Sequence, residues 1–136
     1  MRSTSFITSF LFLFATLLVS CQKPAGPGGK AVIKGKVFAK NFDSYGYTEI
    51  SEYYVLGENV YISYGTDKTV RNNLKTADDG SFQFLYLNKG HYRIFVESRD
   101  TSIHIKNSKK TIAVVTELDI SNVNQVIELN DIVINK

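Results

Sequence analysis

Apolar and polar residues alternate through most of the chain after residue 30. Ile33, Gly35, Val37 and Ala39 share one parity, and Lys34, Lys36 and Lys40 hold the other, which predicts a strand buried on one face. Asn59–Tyr64 repeats the pattern with Val60 and Ile62 inward, and Val70, Asn72, Leu74 and Thr76 share a parity in a third segment. Asp79-Gly80 is a hairpin-turn pair, since Gly supplies the positive φ of a tight turn. It leads into Ser81–Leu87, where Phe82 and Phe84 share a face. Lys89-Gly90 makes another turn before His91–Ser98, with Tyr92, Ile94 and Val96 inward. Ile103 and Ile105, followed by Thr111–Thr116, predict a further hairpin through the polar turn Asn107–Lys110. Gln125–Ile134 closes the chain as a last strand whose parity shifts near Asn130-Asp131. No window has helical period, and short strands with closely spaced turns predict an all-β antiparallel sandwich or barrel.

The first twenty residues follow a different rule. Phe6–Val19 is an apolar stretch behind Arg2, densest over Phe10–Val19, long enough for the core of a secretory signal and shorter than the roughly 18–20 residues of a spanning helix. Leu18-Val19-Ser20-Cys21 resembles the lipobox of bacterial lipoproteins. The resemblance implies a signal peptide over 1–20, cleavage before Cys21, and lipidation of Cys21 with diacylglycerol and usually an amide-linked acyl chain. Two or more chains suffice for stable attachment to a bilayer, at about 0.8 kcal/mol per buried CH₂. Residues 22–30, QKPAGPGGK, hold both prolines and three of the nine glycines. Residues 21–30 are therefore expected to be a flexible tether, and 31–136 the folded domain. Cys21 has no Asp after it and the tether no acidic cluster. By resemblance to other lipoproteins, including those of Bacteroidetes, this implies an outer-membrane anchor facing the periplasm, with surface exposure open.

Within the domain, Gly35-Lys36-Val37, Val60-Tyr61-Ile62, Thr76 to Phe84 (TADDGSFQF), Leu85, Leu87 and Lys89-Gly90-His91-Tyr92-Arg93-Ile94 with Val96 form an ordered set. The set resembles the carboxypeptidase regulatory-like domain, good over 31–98 and general over 99–136. The resemblance implies a transthyretin-like Greek-key sandwich of about seven core strands, used as an accessory or structural module, with Tyr92 as a tyrosine corner. The chain departs from that pattern at Ala77, where an acidic residue is usual, and at Asn41–Glu58, where a short turn is usual.

Composition narrows the chemistry. Setting Arg2 aside, 15 Lys and Arg face 13 Asp and Glu, a net +2 that argues against a nucleic-acid partner. One cysteine allows neither an internal disulfide nor a cysteine-based zinc site. His91 and His104 lack carboxylate or Cys neighbours at metal-ligand spacing, and Asp78-Asp79 reads as turn chemistry rather than a calcium loop. There is no nucleophile elbow and no phosphate-cradling glycine loop. The sequence thus predicts no catalytic residue, no metal and no cofactor, and a protein that is not an enzyme.

One segment is unusual. Phe42–Gly57 holds Tyr45, Tyr47, Tyr53 and Tyr54, half the tyrosines of the chain, with Asp43, Glu49 and Glu52 and no Lys or Arg. Either it is an extra hairpin packing its own aromatics on the sandwich, or these tyrosines meet a partner, because Tyr gives large contact area at low entropic cost. The expected function is an envelope interaction module, tied to the bilayer through Cys21 and holding a protein partner. The alternative is a small-ligand or glycan binder serving an uptake system.

Overall fold

In the computed structural model, which describes residues 23–136, the period-two pattern becomes two sheets of nine strands packed face to face. Residues 1–20, expected as a signal peptide, and Cys21 lie outside the described residues. The strands are β1 (Pro27–Phe42), β2 (Glu49–Tyr54), β3 (Asn59–Tyr64), β4 (Asn72–Lys75), β5 (Ser81–Leu87), β6 (Gly90–Arg99), β7 (Thr111–Ile120), β8 (Val126–Glu128) and β9 (Ile132–Asn135). One sheet runs β4-β3-β6-β7 and is antiparallel throughout. The other is built around β1, and the protein is the all-β sandwich its patterning predicts. Among the described residues, no helix is long and apolar enough to cross a membrane.

β1 organises its sheet because it is long enough to serve two neighbours on each edge. Its first half pairs antiparallel with β5 (Lys34 opposite Gln83) and its second half antiparallel with β2 (Phe38 opposite Tyr54). Val37 marks the change: its N–H donates to Gly80 O, and its C=O accepts from Val55 N–H. On the opposite edge β8 pairs with the first half and β9 with the second, both parallel to β1. The closing strand is thus broken in two at Leu129–Asp131, where its parity changes, and runs parallel rather than antiparallel.

Inward parity fills the core with Ile33, Val37, Val60, Ile62, Phe82, Phe84, Tyr92, Ile94, Val96 and Ile134, all at most 4% exposed. Phe82 and Phe84 meet edge to face at 6.1 Å, the aromatic geometry that adds to area burial. Tyr86, at φ 59°, bulges β5, so that Leu87 returns to the core while Leu85 and Tyr86 face out. Thr76 is buried and its hydroxyl clips the corner before β3, accepting Glu58 N at 2.9 Å and donating to Val55 O.

Two expectations change. Ile103 and Ile105 form no strand. A bond from Ile105 N to Ile103 O folds the chain locally, and Asn107 at φ 56° turns it again. The hairpin is instead β6–β7, joined by this loop. The tether differs as well. Proline and glycine give it the composition of a linker, yet from Pro24 onward it is held. Gly26 N–H donates to the buried Tyr92 hydroxyl at 2.9 Å, and that hydroxyl reaches Asn88 O at 2.8 Å. Asn88 returns bonds to Gly26 O, Pro27 O and Pro24 O. The glycines are what allow this approach: a methyl group at Gly90 would lie 2.6 Å from Ala25 Cβ. Tyr92 is the tyrosine corner, and the tether is its partner.

Candidate functional site

The segment 42–57 is a hairpin made of the end of β1, the loop 43–48 and β2. Asp43 builds its turn, since one carboxylate oxygen accepts Tyr45 N at 3.2 Å and Tyr47 N at 2.9 Å while Gly46 takes φ 80°. These amide bonds, with that of Tyr47 foremost, hold the Asp43 carboxyl below its ordinary range. From the β6–β7 loop side, Arg99 donates through both Nη atoms to Asp43 O and Ser44 O at 2.8 Å, and Asn107 N donates to Ser44 O. The tip is therefore a fixed turn.

On this tip Tyr47 stacks on His104, rings 4.0 Å apart and 9° from parallel. Tyr45 lies 6.5 Å from Tyr47, with Lys106 Nζ 6.0 Å from its ring centre. Tyr47 still exposes 67% of its surface. Strand parity separates the other two tyrosines. Tyr53 stands opposite Ala39, on the inward-facing side at the open edge of the sheet. Tyr54 stands opposite Phe38 on the outer face, edge to face with that ring at 5.2 Å. Its hydroxyl donates to Asp131 Oδ2 at 2.9 Å, which raises its pKa, and Lys36 lies 5.0 Å from its ring centre. The four sequence-predicted residues thus form one aromatic pair at the tip and two single positions on opposite faces. All are more than 40% exposed, with Tyr47 packed on His104 and Tyr54 on Phe38.

Beside Tyr54 lies an open hollow of about 750 Å³ whose lining includes Lys34, Lys36, Gln83, Glu128 and Asp131. Lys34 pairs with Glu128 and Lys36 with Asp79, each at 2.9 Å, and Lys75 also lines it. Asp79 also accepts from Ser81 and is held well below the usual carboxylate range, by the Ser81 hydroxyl first and Lys36 second. His104 and Asp131 are members of the site that the sequence did not mark. Each is far along the chain from its tyrosine, so no local spacing reveals it. His91, across the strand ladder from Asp119, has Nδ1 3.0 Å from that carboxylate. Among the described residues no three His, Cys, Asp or Glu side chains converge as a metal site requires.

No protein-family model and no curated protein matches the chain. A solved structure similar to it in shape is that of a Pseudomonas aeruginosa protein provisionally described as carbohydrate binding. The TM-score is 0.44 and the identity 14%, over 82% of this chain and 92% of that one.

Proposed function

We propose that this protein is a non-catalytic bacterial lipoprotein, anchored through acylated Cys21, that presents its tyrosine hairpin to a protein partner in the cell envelope. The observation that carries the reading is the rigid tip, where Tyr45 and Tyr47 are exposed while Asp43 and Arg99 fix the backbone beneath them. A preorganised aromatic surface loses little entropy on contact. The free edge of β2, exposed along its whole length, adjoins it. The absence of Asp after Cys21 supports an outer-membrane location facing the periplasm, with surface display as the other arrangement. Capture from detergent-solubilised membranes tests the reading. Tyr45→Ser with Tyr47→Ser is expected to lose the partner that wild type retains, at an unchanged melting temperature. Retention by the variant would overturn it. For the anchor, Cys21→Ala is expected to leave an uncleaved or soluble form that no longer enters the detergent phase, and an unmodified Cys21 in the mature wild type by mass spectrometry would refute it.

A second reading, small-ligand or glycan binding, is favoured by the hollow beside Tyr54, which offers one aromatic ring among ammonium and carboxylate groups suited to hydroxyls. Glycan-array binding that Tyr54→Ala abolishes, without a captured protein, would place the function there.

A further inference from the structure

The docked tether fixes how the domain can stand on a membrane. Cys21 and Pro24 are three residue steps apart, a reach of at most about 11 Å. Pro27 and Ala31 both pair with Leu87, so the straight run of β1 is Ala31–Phe42, and the tip above Phe42 lies roughly 35 Å from the tether end at strand rise. The tether end must therefore be the membrane-proximal end if Cys21 is acylated. That end carries a hollow of about 520 Å³ lined by Lys23, Lys30 and Lys89, together with Gly28, Gly29 and Asn88, and by no carboxylate. Val123, half exposed, sits at its rim. Three ammonium groups with an apolar residue beside them suit an anionic headgroup layer, where each basic side chain contributes roughly a five-fold preference.

We propose that this end of the sandwich seats on anionic phospholipid headgroups through Lys23, Lys30 and Lys89, holding the domain upright with Tyr45 and Tyr47 directed away from the bilayer. The proposal rests on the lipoprotein reading of Cys21 and adds a second, electrostatic contact to the acyl anchor. A polybasic surface beside an acyl chain is an additive pair of membrane signals.

The test uses the full acylated chain in vesicles of phosphatidylcholine, alone or mixed equally with phosphatidylglycerol. A fluorophore is placed at Val123→Cys or at Tyr47→Cys, and a headgroup-level quencher lipid is present. Quenching is expected at position 123 in the anionic vesicles, weaker in phosphatidylcholine, and absent at position 47. Lys23→Glu, Lys30→Glu and Lys89→Glu together, or raised ionic strength, should remove most of the quenching at 123 while the protein still floats with the vesicles. Equal quenching at both positions, or quenching at 123 indifferent to charge reversal, overturns the proposal alone. Wild type that does not float with vesicles overturns the anchor and the proposal together.

Discussion

The β1–β2 hairpin and the β5–β6 pair are both rich in aromatic residues, and they use them in opposite ways. Phe82, Phe84 and Tyr92 alternate with polar neighbours in strands that face a second sheet, and are at most 4% exposed. Tyr53 and Tyr54 are adjacent in a strand at the sheet edge and Tyr45 and Tyr47 lie in a loop, and all four exceed 40%. Aromatic content alone therefore says nothing about burial. What decides is whether the opposite side of the sheet is covered. β5 and β6 lie over each other's sheets, whereas β2 extends the first sheet beyond the region packed against the second, and every residue in it is exposed.

Substitutions can break this contrast. The largest effect is expected from Phe84→Ala, about 3–5 kcal/mol in chemical denaturation, because a ring filled from both sheets leaves a cavity. A loss below about 1 kcal/mol would place Phe84 outside the core. Tyr92→Phe is next. It keeps the buried ring but strands the Gly26 N–H, costing about 1–3 kcal/mol, and amide exchange at Gly26 should accelerate with it. Normal protection there would mean the corner does not hold the tether. Replacing Tyr45, Tyr47 and Tyr53 by Ser should each shift stability by no more than about 0.5 kcal/mol, and a larger drop in melting temperature would show them to be structural. The smallest effect concerns Asp43, whose folded carboxyl lies below the ordinary 3.8. A depressed carboxylate contributes stability that is present above the unfolded value and lost as pH falls through the folded one. The melting-temperature gap between wild type and Asp43→Ala should hold steady above about pH 5 and close on acidification. A gap that persists in acid would mean the charge is not what steadies the turn.

The strands that faced the core were legible because burial writes parity into sequence: Ile33 to Ala39, Val60 and Ile62, Phe82 and Phe84, Tyr92 to Val96 all lie as their alternation predicts. β2 left no such mark, since a strand with no buried residue needs no alternation. β7 was only half visible, because as an edge strand it buries Ile120 alone among its ten residues. Ile103 and Ile105 misled for the converse reason, two apolar residues at strand spacing with no neighbour strand to pair. The parallel pairing of β8 and β9 with β1 could not be read locally, being set by which strand each meets. Of the site, the tyrosines stood out by density, but their division into tip, edge and outer face depends on the register of β2 against β1.

The split final strand also sets an order of events in time. Val37 to Lys40 pair with Ile132 to Asn135, and Val32 to Lys34 with Val126 to Glu128, so β1 is completed by residues made about 95 positions later. Closing so long a loop is slow, and meanwhile one side of β1 lies open as a template for foreign strands. A chain emerging from a ribosome or a translocation channel cannot complete this sandwich until β9 is out. Truncation by the last five residues removes the whole of β9 from the far half of β1.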